Sequence, residues 1–226
     1  AAALKTSRRI TNSEGAAVSA QQSHFFSAHT HGFRGGYASS RHSISVAPIA
    51  SLPGRNAEMQ RDAWYSSMRS ASELASPEAV GRYAAERALS RLGSRKIATT
   101  ECPVLFESTV AAGLLGGFVQ AVSGGALYRK GYFLSSYSAR KLGMKTTGNA
   151  GGSHNLTMTS RLTRATDDLD EMLRKLGTGL FVIELMGQGV NYVTGDYSRG
   201  ASGFWVENGQ IAYPVHEITI AGNLKD

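Results

Sequence analysis

The sequence is poor in cysteine. Cys102 is the one cysteine among its 226 residues. A single cysteine excludes an internal disulfide framework and leaves no CxxC pair for a zinc or redox site. In the stretch ECPVLFES, we expect Cys102 to pack as a small buried hydrophobic residue beside Val104 and Phe106, and not to act as a reactive thiol.

The sequence also lacks a long apolar run. A transmembrane helix needs roughly 18 or more consecutive apolar residues, and no such window occurs. The opening stretch AAALKTSRRITNSEG has neither the apolar core nor the small-residue cleavage site of a secretory signal. These features predict a soluble, cytoplasmic protein that does not associate with a membrane.

Acidic residues are outnumbered by basic ones. The 24 lysines and arginines against 17 aspartates and glutamates give a formal net charge of +7. A basic surface is typical of nucleic-acid-binding proteins. However, the arginines are dispersed singly, as at Arg34, Arg41 and Arg55, and no RNP motif, zinc finger or polybasic tail accompanies them. We therefore expect a solvated basic surface and no direct binding to nucleic acid.

Glycine is abundant: it accounts for 26 of the 226 residues, which exceeds its average share of about 7% in proteins. This composition favours tight turns and therefore strands. The β-rich runs 16–30, 36–50 and 59–70 predict three antiparallel strands. A helix is predicted next, with Ser76 as its N-cap, a proline at its first position and Gly93 as its stop.

The second half begins with an apolar, glycine-containing helix capped by Ser108, followed by a short helix within 166–177. From Leu180 onward the pattern is that of strands, and Asn208-Gly209 is a strong signal for a type I′ hairpin turn. We predict an α+β fold. An N-terminal α/β part with antiparallel strands would occupy residues 1–96. A mostly antiparallel, barrel-like domain with a buried helix would occupy residues 97–226.

Two histidine patterns suggest metal chemistry and neither completes a motif. His216-Glu217 opens HEITI, but Ile220 stands where HExxH needs its second histidine, and the β-branched run is typical of a strand. His29 and His31 have the spacing of two ligands on one side of a strand, yet no third ligand can be assigned to them. We expect no metal ion bound by this chain.

Ser138 and Lys141 match the pattern S-x-x-K, which on a helix places a serine beside a lysine. No supporting S-D-N or K-T-G motif follows in order. The alternative, a helix N-terminus capped by Ser135, Ser136 or Ser138, agrees better with the local sequence.

Two glycine-flanked loops carry hydrogen-bonding side chains. GNAGGSHN, residues 148–155, contains His154, and GDYSRG, residues 195–200, contains Tyr197, Ser198 and Arg199. Glycine lets a ligand approach the main chain, and tyrosine with arginine can hold a peptide carbonyl or carboxylate. Neither stretch forms a nucleotide-binding fingerprint. Ordinary turns remain the alternative interpretation of both.

The residues 184–226, ELMGQGVNYVTGDYSRGASGFWVENGQIAYPVHEITIAGNLKD, resemble those of a known family. Together with LSSYSARKLGMKTTGNAGGSHN before them, they resemble the TldD/PmbA family, also called modulators of DNA gyrase, and within it the PmbA (TldE) branch. Weaker matches at RRITNSEG, GYASSRHSIS and GGALYRK extend the resemblance across the chain. Against the family pattern, a segment is missing near residues 130/131.

The resemblance implies a cytoplasmic bacterial protein with a role in proteolysis and in the maturation of peptides such as microcins. In this family the TldD-like subunit carries an HExxxH zinc motif, and the PmbA-like subunit pairs with it to enclose a chamber. The present sequence contains no HExxxH. The resemblance therefore predicts a subunit without a catalytic residue or cofactor of its own, with zinc in a TldD-like partner.

On this interpretation the chain forms a heterodimer with a TldD-like subunit, or a homodimer, and holds an extended peptide. Tyr197, Ser198, Arg199 and His154 are the predicted peptide-binding residues, and Asp196 is predicted to cap its own turn. Two alternatives remain open. One is a non-catalytic, homodimeric interaction module connected with gyrase. The other is an independent serine or zinc hydrolase.

Overall fold

The computed structural model describes residues 1–54, 57–121, 167–187 and 189–224. The chain divides into two compact units, Ala1–Gly93 and Ser94–Asp226. The sequence placed the boundary slightly later, between residues 96 and 97. The Lys130-Gly131 peptide lies outside the described residues.

The first unit consists of a helical start, a four-stranded sheet and a second helix. Its elements are α1 (Ala2–Thr6), β1 (Ile10–Ala28), β2 (Arg34–Ser51), β3 (Met59–Arg61), β4 (Trp64–Met68), a short 3-10 helix (Ala71–Glu73) and α2 (Pro77–Ser90).

All pairing in this first sheet is antiparallel, as predicted. Strand β2 pairs with β1 along one edge and with β3 and β4 along the other. The predicted third strand, residues 59–70, is interrupted at Asp62. The carboxylate of Asp62 forms ion pairs with Arg87 (3.3 Å) and Arg91 (3.5 Å) of α2. The break therefore attaches the helix to the sheet.

The start of α2 follows the predicted signals. The Ser76 hydroxyl accepts a hydrogen bond from the Ala79 amide at 3.1 Å, and proline occupies the first turn. The helix ends at Ser90, and Gly93 follows with φ 80°. Small residues on one face allow close packing on the sheet. This face contributes Ala85 and Ala88 to a core that also contains Ala3, Ile10 and Ala50.

The second unit contains two described helices and a four-stranded sheet. Its elements are β5 (Val104–Phe106), α3 (Ser108–Ala121), α4 (Leu169–Leu176), β6 (Gly179–Met186), β7 (Asp196–Glu207) and β8 (Gln210–Asn223). No described helix in either unit is both long enough and apolar enough to cross a membrane.

The strand order of this sheet is β5-β6-β7-β8, with β5 parallel to β6 and the other pairs antiparallel. Alternate side chains of β6 enter different cores. Leu180 and Val182 join one cluster, against which Leu114 of α3 packs. Phe181 joins the other cluster, which also contains Leu173 of α4. Each face of the sheet is thus covered by a helix.

The α+β class is confirmed, but the predicted barrel-like shape is wrong for the described residues. There, β5 and β8 end an open sheet and do not pair with each other. Helices cover both faces, so the sheet buries its apolar surface without closing on itself. The predicted buried helix, α3, is only partly buried: Gly117 and Ala121 are buried, whereas Leu115 is 54% exposed.

The hairpin between β7 and β8 is turned by Asn208 and Gly209, as predicted. Their φ angles are 51° and 75°, which are the positive values that a type I′ turn requires at both central positions. A Cβ at Gly209 would lie 2.8 Å from the Cα of Arg174. Both the backbone angle and the contact with α4 therefore require glycine here.

We expect Gly209→Ala to lower the free energy of unfolding by about 1–3 kcal/mol, because it combines a strained φ with a steric overlap. Chemical denaturation monitored by circular dichroism measures this change. Gly222→Ala is the matched control, since Gly222 has a negative φ and a Cβ there would meet no described atom within 4 Å. Equal stability of the two variants would contradict the prediction.

Candidate functional site

The stretch 194–209 is mainly a strand. Residues 195–200 were predicted to form a loop. Instead, strand β7 begins at Asp196 and pairs with β6 and with β8. The preceding stretch 189–195, predicted as a strand, is a turn with one isolated bridge between Val190 and Tyr197. The loop prediction is wrong because pairing along both edges of β7 outweighs the turn preference of its glycines. The strand prediction is wrong because the main chain of 189–195 folds back on itself, with the Gly195 amide donating to the Asn191 carbonyl at 2.7 Å.

The turn before β7 is held by its own polar side chains. The side-chain oxygen of Asn191 accepts a hydrogen bond from the Val193 amide at 3.0 Å. The Thr194 hydroxyl donates to the Asp196 carboxylate at 2.6 Å, and the Asn223 amide group donates to the same carboxylate at 3.0 Å. The Asp196 carboxylate therefore attaches the turn to the end of β8, whereas the side chain that caps backbone amides of this turn is that of Asn191 and not the predicted Asp196.

Gly189 brings this turn against the main chain of β7. The Ser198 amide donates to the Gly189 carbonyl at 2.7 Å. A Cβ at Gly189 would overlap the carbonyl oxygen of Ser198. This position therefore accepts no residue with a side chain unless the turn moves away from the strand.

The alternation of β7 separates the predicted peptide-binding residues. Tyr197 and Arg199 are two positions apart and share one face, whereas Ser198 is exposed on the other. Tyr197 is only 7% exposed and belongs to the same core cluster as Leu180. The structure therefore brings Tyr197 and Arg199 together and leaves Ser198 apart. His154 lies outside the described residues.

Tyr197 and Arg199 line a cavity of about 330 Å³ in the second unit. Helix α3 contributes Gly113, Gly117 and Gln120 to its wall. The two glycines are four residues apart and thus lie on the same side of the helix. At these two glycines the helix presents main chain to the cavity, beside the side chains of Leu114 and Gln120, and the strand presents the polar side chains of Tyr197 and Arg199.

The turn before β7 and the residue after β8 also contribute to the wall. Gly187, Val190 and Tyr192 contribute from the region between β6 and β7, and Leu224 contributes from the residue after β8. The sequence pattern did not predict this contribution of α3, because a glycine in a helix equally permits close packing of another backbone. At Gly113, however, a Cβ would meet no described atom within 4 Å. The space beside this glycine is therefore open.

The cavity is positively charged. Arg199 is the one charged side chain among the described residues that line it. Its Nε and the hydroxyl oxygen of Tyr197 are both buried and have no hydrogen-bond partner of good geometry among the described residues. Burial raises the pKa of the Tyr197 hydroxyl, and the neighbouring Arg199 guanidinium partly offsets that rise. The phenol is therefore a neutral hydrogen-bond donor at physiological pH.

The candidate metal ligands do not assemble within the described residues. His29 and His31 lie in the exposed loop between β1 and β2 and not on a strand, with ring centroids 6.5 Å apart. No group of three His, Cys, Asp or Glu side chains that could hold a metal ion occurs in the described ranges. These residues do not fit a zinc ion. Ser138, Lys141 and the stretch 148–155 lie outside the described residues.

The remaining motifs are structural. Cys102 packs beside the core of the second unit, and burial raises the pKa of its thiol.

His216-Glu217 lies on β8, as the β-branched run predicted. Glu217 adopts φ 51° where the β7–β8 register shifts, which marks a β-bulge. Its carboxylate lies 2.7 Å from the Lys96 ammonium. The hydrogen bond and the charge of Lys96, with a further contribution from His216, lower the pKa of Glu217.

We expect Lys96→Met to raise the pKa of Glu217 toward its ordinary value, measured by NMR titration of the labelled carboxyl group. A lowered folded-state pKa means that the pair stabilises the fold above the unfolded-state value, about 4.3. This contribution is lost as the pH falls through the folded-state pKa. Lys175→Met is the control, because Lys175 pairs with Asp167. An unchanged Glu217 titration in Lys96→Met would refute the assignment.

Comparison with known proteins identifies the family. The model of the PmbA/TldA metallopeptidase central domain matches residues 1–92, and that of the PmbA/TldA metallopeptidase C-terminal domain matches residues 129–226. Together the two models match most of the chain.

Curated relatives agree with this assignment. The chain is 42% identical over 278 aligned positions to the Metalloprotease PmbA of Escherichia coli O157:H7, and 40% identical over 278 positions to a Metalloprotease PmbA homolog of Haemophilus influenzae. Each alignment covers 100% of this chain and 60% of the relative. The chain thus spans 60% of the length of these relatives.

Solved structures share the fold. A protein from Bacteroides thetaiotaomicron, described as a modulator of DNA gyrase, superposes with a TM-score of 0.78 at 21% identity, covering 99% of this chain and 62% of that chain. TldE from Thermococcus kodakarensis superposes with a TM-score of 0.67 at 14% identity, covering 99% and 64%. From the two domain models, the curated relatives and the shared fold, we conclude that the chain belongs to the PmbA/TldD family of metallopeptidases.

Proposed function

We propose that this chain is the PmbA/TldE-like subunit of a two-subunit metallopeptidase, in which it binds the peptide and a TldD-like subunit carries the zinc. The observation that supports this role is the convergence of Arg199 and Tyr197 in one glycine-walled cavity. The relatives are longer than this chain, and the proposal concerns the whole protein.

The donors in the cavity match the acceptors of a peptide. A guanidinium presents several N–H donors in a plane and accepts nothing, and the neutral phenol of Tyr197 adds an O–H donor. Peptide carbonyl and carboxylate oxygens are acceptors that such a pair binds well. Glycines on the helix side let the main chain of a ligand come close.

The metal belongs to the partner in this proposal. Relatives of the chain are named metalloproteases. The described residues bring together no three side chains that could hold a metal ion. The part proposed for this chain is therefore to bind and orient the peptide, with the zinc site supplied by the TldD-like subunit.

Peptidase activity of the full-length protein, alone and mixed with a TldD-like subunit, tests the proposal. We expect cleavage of an unfolded peptide, together with bound zinc by elemental analysis, in the mixture only. Arg199→Ala should lower kcat/KM of the mixture about tenfold or more, because it removes a charge-assisted hydrogen bond.

Arg174→Ala is the control, since Arg174 is exposed on α4 and its loss removes the same charge away from the cavity. Its activity should equal that of the unmodified mixture. Zinc-dependent cleavage by the isolated chain would overturn the proposal, and so would equal activity of the Arg199 and Arg174 variants.

The hairpin of β1 and β2 favours a protein-interaction surface, which would serve the proposed pairing with a TldD-like subunit. We call residues 23–39 the hairpin end. Phe26 and Tyr37 are 69% and 65% exposed there, and Phe25 lies 5.3 Å from the Tyr37 ring. Residues 34–41 of β2 pair with β1 and, among the described residues, with no other strand. A two-stranded ribbon with exposed rings gains stability when a partner covers it.

The charge of this hairpin indicates the chemistry of the partner. Residues 15–57 contain no aspartate or glutamate, whereas Arg34 and Arg41 lie on the hairpin. The surface is complementary to an apolar, acidic protein surface. A second copy of this chain, with a net charge of +7, fits this requirement poorly.

We expect the double variant Phe25→Ser/Tyr37→Ser to weaken binding to a TldD-like subunit at least tenfold, measured by analytical ultracentrifugation, and to retain its circular dichroism spectrum. The loss of two aromatic contacts at an interface is the physical reason. Val18→Ser is the control, because Val18 is 83% exposed but lies outside the hairpin end. If the double variant bound the TldD-like subunit with unchanged affinity, the hairpin end would not be this interface. If the unmodified chain formed a homodimer and the double variant were a monomer, the hairpin end would be assigned to self-association.

A further inference from the structure

We infer that the cavity between α3 and β7 recognises the C-terminal carboxylate of a peptide. This inference rests on the proposed peptide-binding function and adds to it the part of the peptide that the chain selects. It is carried by three properties of the cavity: a positive charge without a counterion among the described lining residues, two neighbouring donors, and its size.

The charge of Arg199 has no counterion in the described part of the cavity. None of the other described lining residues is acidic, and the carboxylate of the nearby Asp196 is already bound by Thr194 and Asn223. Arg199 is half-buried, with its Nε enclosed, and a partly desolvated cation without an anion is unfavourable, so an anionic ligand would stabilise the site. A neutral peptide carbonyl would satisfy the hydrogen bond but not the charge.

The two donors are suited to a two-oxygen acceptor. Tyr197 and Arg199 lie two positions apart on one face of β7, and both the phenol oxygen and Nε are buried without a good hydrogen-bond partner among the described residues. One carboxylate oxygen can accept from the guanidinium while the other accepts from the phenol. Such an anion would bind both groups at once.

The size of the cavity favours a chain end. Its volume of about 330 Å³ is at the lower end of the roughly 300–1,000 Å³ found for ligand pockets. An aspartate or glutamate side chain carries main chain on both sides, which needs more room than a C-terminal residue does. The open space beside Gly113 then accommodates the last side chain of the peptide.

Isothermal titration calorimetry on the full-length protein tests the inference with three peptides of matched length. These are acetyl-trialanine with a free carboxylate, acetyl-trialanine carboxamide, and acetyl-Ala-Asp-Ala carboxamide. We expect the free carboxylate to bind at least tenfold more tightly than either carboxamide, because only it places a carboxylate at the chain end.

Four variants locate the binding. Arg199→Gln removes the charge and Tyr197→Phe removes only the hydroxyl, so they should weaken carboxylate binding about 10–100-fold and several-fold, respectively. Gly113→Leu places a side chain in the cavity from a helical position and should abolish binding while retaining or raising the melting temperature. Arg174→Gln is the matched charge control and should bind as the unmodified protein does.

Each other outcome overturns the inference in a distinguishable way. Equal binding of acetyl-trialanine and its carboxamide would mean that the cavity holds internal peptide, and the proposed function would survive. Equal binding of the aspartate peptide would assign the site to acidic side chains. Binding that persists in Gly113→Leu would place the ligand elsewhere. If no peptide binds, the inference fails, and the peptidase assay with Arg199→Ala decides the proposed function separately.

Discussion

The second unit depends on the pairing of β7 along both of its edges. Hydrogen bonds to β6 and β8 hold residues 196–207 extended through a sequence that contains two glycines. A Cβ at Gly203 would overlap the carbonyl oxygen of Phe181 on β6, so even a strand glycine is required by this close pairing. Because the strand is fixed, its alternation places Tyr197 and Arg199 on one face and Ser198 on the other.

The glycines have different roles in the strand and in the helix. Gly189 and Gly203 allow main chains to approach, whereas Gly113 borders open space. The site therefore combines a polar wall on β7 with a wall on α3 in which two glycines lie beside Leu114 and Gln120. Such an arrangement suits a binding subunit, because donors are positioned by the sheet and the volume for a ligand is kept by the helix.

Much of the fold was predictable wherever the signal is local. The cap at Ser76, the short helix α4 and the Asn208-Gly209 turn follow from hydrogen-bonding and φ requirements that neighbouring residues alone impose. The errors occur where partners distant in sequence decide. The loop predicted at 195–200 is a strand because β6 and β8 pair with it, and the predicted third strand breaks at Asp62 because α2 supplies two arginines.

The sequence by itself determined the family resemblance, the α+β class and two of the residues that meet in the cavity. Motifs, caps and turns depend on residues that are close together in the sequence. Only the tertiary structure decided that the sheet of the second unit is open in its described part, that Ser198 points away from Arg199, and that α3 walls the cavity. These features depend on which face of a strand packs under which helix. The packing of a strand face under a helix depends on contacts between segments that are far apart in the sequence, so a local sequence pattern does not predict it.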